Sequence, residues 1–211
     1  MMDELTFRLA LLGLLIFDLS MPTYFRRKAA AGTASIQRRQ WRLRLVPELV
    51  FTIVAYLGLF AYLLDPRLMS WSQLGVPDGL RALGFGFAIL GLYGLLWSFR
   101  HLGKNLLASA APSAAPTLIT TGPYRWVRHP MYTAWAVTLL GYGLLTANWA
   151  VTLMAAMAFT VVVRRTSLEE SQLVARFGEA YTEYAARTGR LLPNAPWSKK
   201  REGSGHPGAS E

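Results

Sequence analysis

The chain has 211 residues and a mass of 23.5 kDa, enough for one domain or a handful of membrane-spanning helices. Hydrophobic residues make up 53% and charged residues only 16%, where a soluble domain carries about 25% charge, which argues against an ordinary soluble globule and against a disordered chain. No cysteine is present, which removes disulfides, zinc-cysteine sites and thiolate nucleophiles, and the net charge of +10 matters less than where the basic residues fall.

In chain order, the first apolar stretch runs from Leu5 to Phe25, broken only by Arg8 and Asp18. A bilayer core about 30 Å thick needs roughly 20 helical residues, so this stretch predicts a first span. Its basic cluster follows the apolar run and no A-x-A-like site closes it, so a cleaved signal peptide is not expected. Seven basic residues without an acid come next (Arg26, Arg27, Lys28, Arg38, Arg39, Arg42 and Arg44), a juxtamembrane pattern. A nucleic-acid surface would interleave aromatics, and only Trp41 stands in that run, so no nucleic-acid partner is expected.

Val46 to Leu64 and Ala82 to Phe99 predict the second and third spans. Asp65 to Arg81 joins them with two acids and two bases. Arg8, Asp18 and Glu48 are read as lying within about a turn of a span end, where snorkelling costs little; clean spans argue against a transporter. In span three, Gly84 and Ala88 form a small-x-x-x-small pair, which serves helix packing within one chain or between copies.

A last apolar stretch, Tyr132 to Val163, is too long for one helix and is interrupted at Thr146-Ala147-Asn148. It predicts a tight helical hairpin with arms of about 15 residues, whose reach of roughly 22 Å falls short of the hydrocarbon thickness. From Ser167 to Arg187 the residues Leu173, Phe177, Tyr181 and Tyr184 recur at helical spacing among charges, predicting an amphipathic helix at the membrane surface. Beyond Pro193 the composition predicts a disordered tail over 194–211. The fold expected is therefore an all-α membrane protein of about five transmembrane segments plus that C-terminal helix. Its organisation is three helices over 1–100, with a basic loop at 26–44, and a core over 101–193. The positive-inside rule puts both basic loops and the C-terminus in the cytoplasm and the N-terminus outside.

Polar groups crowd two stretches that flank the hairpin: Thr117-Leu-Ile-Thr-Thr-Gly-Pro-Tyr-Arg-Trp-Val-Arg-His-Pro-Met-Tyr132 and Arg164-Arg-Thr-Ser-Leu-Glu-Glu170. Closing the hairpin brings them together. Each has a structural reading as well: Gly122-Pro123 marks a turn, His129-Pro130 ends an element, the basic residues can meet lipid phosphates, and Thr166-x-x-Glu169 and Ser167-x-x-Glu170 fit a capping box.

Taken jointly, the run Thr121-Gly-Pro-Tyr-Arg-Trp-Val-Arg-His-Pro-Met-Tyr132, then Arg165-x-x-x-Glu169-Glu170-x-x-Leu173-x-x-x-Phe177-Gly178-x-x-Tyr181-x-x-Tyr184 and Leu191-x-Pro193, closely resembles the isoprenylcysteine carboxyl methyltransferase and phospholipid methyltransferase superfamily of integral membrane enzymes. The resemblance covers about Leu102 to Pro193. It implies S-adenosylmethionine as methyl donor, held by Leu118, Ile119 and Tyr124 of the loop, by the His129-Pro130-x-Tyr132 segment and by Glu169, with Arg165 positioning the substrate. Pro116 and Ala134 depart from the histidine and glycine that such enzymes carry there.

The residue chemistry is compatible. Glu169 or Glu170 can accept from the donor's ammonium or ribose, and Arg128 or His129 can serve its carboxylate. No metal is required. A carboxylate acceptor needs no general base and would be positioned by Arg165; an amine or thiol acceptor must lose a proton, for which His129 or Tyr132 are the nearby candidates. The expected activity is methyl transfer to a lipid-like acceptor, nearest to isoprenylcysteine carboxyl O-methylation. Phospholipid-amine N-methylation, small-thiol S-methylation and a non-catalytic scaffold or small transporter on the same fold are the alternatives.

Overall fold

The structure, a computed structural model, describes residues 3–30, 46–103 and 117–194. Most of the basic segment at 26–44, Pro116 and the tail from 195 lie outside these residues, so the expectations placed on them are not taken further. Among the described residues the chain is helical, with only two isolated backbone bridges. Helix α1 is Glu4–Ala30, α2 Val46–Leu64, α3 Asp78–Leu102, α4 Pro130–Thr146, α5 Trp149–Phe177 and α6 Glu179–Arg187. Short 3-10 turns, Pro66–Ser72 and Gly122–Arg125, precede α3 and α4. By length and apolarity Glu4–Lys28, Asp78–Leu102 and Trp149–Phe177 can each cross a bilayer, and Thr52–Leu64 is a shorter apolar helix.

The closest packing is between α3 and α4, and the small residues explain it. A methyl group on Gly91 would stand 2.5 Å from the Thr138 nitrogen, and one on Gly141 would stand 2.4 Å from the Ala88 nitrogen. The two backbones touch because the residues at the crossing are small, Gly84, Ala88 and Gly91 on α3 against Ala134, Thr138 and Gly141 on α4. The Gly84 and Ala88 pair therefore works inside the chain: both residues are buried against α4.

The hairpin turns where the sequence is interrupted. Ala147 takes a left-handed conformation (φ 48°) that ends α4, and Asn148 caps α5 by accepting from the Val151 N–H at 3.1 Å. The same Asn148 side chain accepts from the Ser72 hydroxyl at 3.0 Å and donates to the Met69 carbonyl at 3.2 Å, tying the turn to the 3-10 segment after α2.

Two expectations are corrected here. The second hairpin arm is not short: α5 continues for 29 residues, about 43 Å, because Arg164 to Glu170 do not break it but ride the same helix out of the apolar zone. The amphipathic segment is in turn not one helix. Gly178 (φ +55°) stops α5, its N–H bonding to the Val174 carbonyl at 2.8 Å, and α6 starts afresh with Tyr181 and Tyr184 buried. Neither glutamate of the capping-box pattern lies at a helix start, so capping is not their role.

Asp18 is a third correction. Because α1 runs on to Ala30, this acid sits mid-helix rather than near an end, and it is buried. It accepts from the hydroxyls of Tyr56 on α2 (2.7 Å) and Tyr142 on α4 (3.1 Å), which joins three helices in the apolar interior. At the helix ends farthest from the candidate site, buried Arg81 on α3 bonds Glu4 at 2.8 Å and the Leu145 carbonyl at 3.0 Å, with its guanidinium 3.8 Å from the Phe7 ring centroid. Arg8 bonds the last carbonyls of α2, those of Leu63 and Leu64, which have no helical partner.

Candidate functional site

Four chain segments meet at the far end of the hairpin: the Gly122–Arg125 turn, the start of α4, the polar stretch of α5, and α6 with the strand-like residues after it. The end of α3 supports the turn. Gly122 adopts φ +60°, and its Cα lies against the His101 ring so closely that an added methyl would stand 2.2 Å from the ring. The indole of Trp126 packs 5.5 Å from that of Trp97, and the His101 Nδ1 meets the Trp97 carbonyl at 3.0 Å.

The chain then passes beside its own C-terminal segment. Arg128 N–H donates to the Gly189 carbonyl at 2.7 Å and His129 N–H to the Arg190 carbonyl at 3.1 Å. Thr133 Oγ1 donates to the Leu191 carbonyl at 2.6 Å. Tyr184 of α6 donates to the Tyr124 carbonyl at 2.6 Å. Pro130 occupies the first turn of α4, where a missing N–H costs nothing, and fixes the exit direction after His129.

Within this frame the side chains form one charged cluster. Arg128 Nε donates to Glu170 Oε1 at 2.9 Å, and its Nη1 donates to the carbonyls of Ala185 (2.8 Å) and Thr188 (2.7 Å). Arg128 is thereby committed to protein partners rather than to lipid phosphate. His129 Nε2 lies 3.1 Å from the same Glu170 oxygen, and its Nδ1 faces Glu169 at 3.8 Å. Tyr132 donates to Glu169 Oε1 at 2.8 Å, with Arg165 Nε 3.2 Å from that oxygen. The His129 and Tyr132 rings stack with centroids 5.6 Å apart.

His129 is buried between two carboxylates, and these influences oppose one another. Burial, the larger, pulls its pKa below the ordinary value, outweighing the attraction of Glu170 and Glu169. The imidazole is therefore neutral at pH 7 and carries one N–H. The 3.1 Å contact assigns that proton to Nε2, pointing at Glu170, and leaves Nδ1 with its lone pair towards Glu169.

The expected residues are thus brought together to different degrees. Arg128, His129, Tyr132, Arg165, Glu169 and Glu170 form the cluster directly. Tyr124 is buried one layer away, connected through Tyr184, and burial raises its pKa. Leu118 and Ile119 are half-buried in the extended lead into the turn. Ala134 lies one turn past Pro130, its Cβ 3.0 Å from where a methyl on Gly94 would stand.

Three residues were not among the expected site residues. Arg190 places Nε 3.6 Å from Glu170 Oε1 and donates from Nη2 to the Ser167 hydroxyl at 2.7 Å. Tyr181 is buried with burial pushing its phenol up to about 12. Both the Tyr181 hydroxyl and the Arg190 Nε are buried without a hydrogen-bond partner. Thr188, also buried, offers the carbonyl that fixes Arg128. Tyr181 stood in the quoted motif without a role at the site and Arg190 lies next to Leu191 of that motif, but nothing in their spacing says that the chain folds back onto Arg128.

Known proteins share sequence similarity with this chain. The phospholipid methyltransferase (PEMT) family model matches residues 80–180, from the start of α3 through the cluster to α6. Human protein-S-isoprenylcysteine O-methyltransferase is 30% identical over 153 residues, covering 69% of this chain and 52% of that protein. The cobalt-zinc-cadmium resistance protein CzcN of Cupriavidus metallidurans is 31% identical over 125 residues, covering 58% of this chain and 53% of its own length. Among solved structures, the eukaryotic intramembrane Ras methyltransferase ICMT aligns with a TM-score of 0.47 and 26% identity, covering 76% of this chain and 54% of that one. The chain spans about half the length of the curated relatives it matches. On the family-model match and the similarity to isoprenylcysteine O-methyltransferases, the chain belongs to the isoprenylcysteine carboxyl methyltransferase-like family of membrane methyltransferases.

Proposed function

We propose that this chain is an S-adenosylmethionine-dependent methyltransferase acting on a lipid-like acceptor, nearest to carboxyl O-methylation of an isoprenylcysteine. The observation that carries the reading is the convergence of Arg128, His129, Glu169 and Glu170, some 40 residues apart in sequence, on one half-buried cluster. The residues present suit the donor. It carries an ammonium, a carboxylate and ribose hydroxyls, and the cluster has a carboxylate in Glu169 and two unsatisfied buried donors, Tyr181 Oη and Arg190 Nε. Glu169 takes the ammonium or ribose, and Tyr181 and Arg190 take the carboxylate. Leu118, Ile119, Tyr124 and Pro130 are the apolar walls in this reading.

S-adenosylmethionine supplies an electrophilic methyl on a sulfonium. The chain's own residues bind, orient and exclude water. Tyr132 and Arg165 hold Glu169 in one rotamer, and Arg128 and His129 do the same for Glu170. Arg165 bridges from Glu169 to the acceptor, whose carboxylate is already ionised at neutral pH and requires no base. Alignment of the reacting atoms in a dry site is the main contribution asked of the protein. The proposed topology has five segments, the N-terminus outside, and the cluster and C-terminus in the cytoplasm, since Arg100, Arg125 and Arg128 gather at that end.

The match to the phospholipid methyltransferase model supports one second reading, N-methylation of a phospholipid amine. There the lone pair of neutral His129 Nδ1 would accept the proton that the amine loses. Membranes containing the chain, incubated with a methyl-labelled donor and extracted into organic solvent, separate the two. Base-labile label, released as methanol, is expected for an ester. Base-stable lipid label supports the second reading, and label no higher than in Glu169→Ala membranes overturns both.

A further inference from the structure

Outside the charged cluster, two hollows run along the seam between α1 and α3. These helices are parallel, with Glu4 beside Arg81 at one end and Phe25 stacked on Phe99 at 5.3 Å at the other. One hollow, about 430 Å³, is walled by Leu9, Leu14, Phe85, Ile89 and Tyr93. The other, about 520 Å³, is walled by Ser20, Met21, Tyr24 and Phe25 and ends at Lys28 and Arg100. Phe17 and Leu96 line both, so the hollows form one groove. Between Leu9 and Lys28, α1 advances about 28 Å, nearly the thickness of the hydrocarbon core.

Small residues keep the groove open. Ala10 and Gly13 lie on its floor, and a methyl added to Gly13 would meet nothing within 4 Å. This contrasts with Gly84, Gly91 and Gly141, which are small because a neighbouring backbone fills the space. A glycine inside a helix costs about 1 kcal/mol relative to alanine, and at Gly13 no protein contact offsets it.

Charge selects the occupant. The walls are apolar, and both cations stand at one end, the end that also carries the site. Among the described residues neither Lys28 nor Arg100 is ion-paired. We propose that the α1–α3 groove binds an anionic phospholipid, with an acyl chain laid over Gly13 and Ala10 and the phosphate held between Lys28 and Arg100. This site does not depend on the methyl-transfer reading, since none of its residues belongs to the charged cluster.

Native mass spectrometry of the purified full chain tests the proposal, with phosphatidylglycerol and phosphatidylcholine as probes. The wild type should retain one phosphatidylglycerol and discriminate against phosphatidylcholine at least tenfold. Lys28→Gln/Arg100→Gln should abolish that preference, and Gly13→Phe should reduce retention of both lipids. Equal retention of the two lipids by the wild type, or an unchanged preference in the double variant, would overturn it. Photolabelling the wild type with a diazirine-acyl phosphatidylglycerol gives an answer that needs no variant: label concentrated on the α1 and α3 peptides supports the groove, and label spread evenly over all apolar helices contradicts it.

Discussion

At the scale of single residues, the contrast between Tyr181 and Tyr184 shows what each hydroxyl does. Tyr184 Oη is bonded to the Tyr124 carbonyl, whereas Tyr181 Oη is buried and unpaired. Tyr184→Phe leaves that carbonyl without its partner and is expected to cost about 1–2 kcal/mol of stability. Tyr181→Phe removes an unsatisfied group, so the melting temperature should stay level or rise while affinity for S-adenosylmethionine falls about tenfold. Paired thermal melts and binding isotherms separate the two; a Tyr181→Phe chain that melts lower with unchanged affinity would assign the residue to folding.

His129 gives a prediction in pH. Its folded pKa is depressed by burial, so between that value and the ordinary one near 6.5 the unfolded chain binds more protons than the folded chain. The stability linked to His129 is thus fully present above about pH 6.5 and is lost as pH falls from there towards the folded value. Thermal melts from pH 8 to pH 5.5 should show this loss in the wild type and a shallower one in His129→Gln. Identical slopes would mean that the imidazole is not held neutral.

Helices and turns account for how these residues are presented. The α3–α4 contact is backbone on backbone, and the Gly141→Val side chain would enter a space already filled by the Ala88 nitrogen and the Gly84 carbonyl. A cost of about 3 kcal/mol is expected, at the upper end for overpacking, whereas Gly13→Val faces open space and should change stability by less than about 1 kcal/mol. Unfolding midpoints in a mixed detergent series compare the two; equal effects would refute the packing argument. Much of this level was legible in advance. The turn at Ala147-Asn148 and the three earlier helices follow from apolar run lengths and from residues that end helices. The length of α5 did not, because Arg164 to Glu170 read as a boundary by polarity although five of the seven, Arg164, Arg165, Leu168, Glu169 and Glu170, are good helix formers. Nor did the break at Gly178, where the stripe from Leu173 to Tyr184 keeps helical spacing across a residue that leaves the helix.

For the whole molecule, what was legible was pairwise and what was not was three-way. Six of the ten candidate site residues meet directly, because motif residues on either side of a hairpin are bound to approach each other when it closes. The part of Arg190, Tyr181 and Thr188 in the site was missed since it depends on the chain returning past Arg128, whose N–H and that of His129 donate to the Gly189 and Arg190 carbonyls, which sequence spacing does not encode. Asp18 was misplaced for a related reason: its role needs Tyr56 and Tyr142, from two other helices. The absence of native cysteine makes sidedness directly testable. An impermeant maleimide added to intact cells should label Ser70→Cys, on the turn between α2 and α3, and spare Ala186→Cys on α6 until the membrane is opened. The reverse pattern would invert the proposed topology.

The central claim is that Glu169, with Tyr181 and Arg190 beside it, holds the methyl donor, within the frame that Arg128, His129 and Glu170 fix. Titration calorimetry of the purified chain with S-adenosylmethionine tests it most directly. The account predicts saturable one-to-one binding that weakens at least thirtyfold in Glu169→Ala, with the helical circular dichroism unchanged. Equal affinity in that variant, or no binding by the correctly folded wild type, would contradict it.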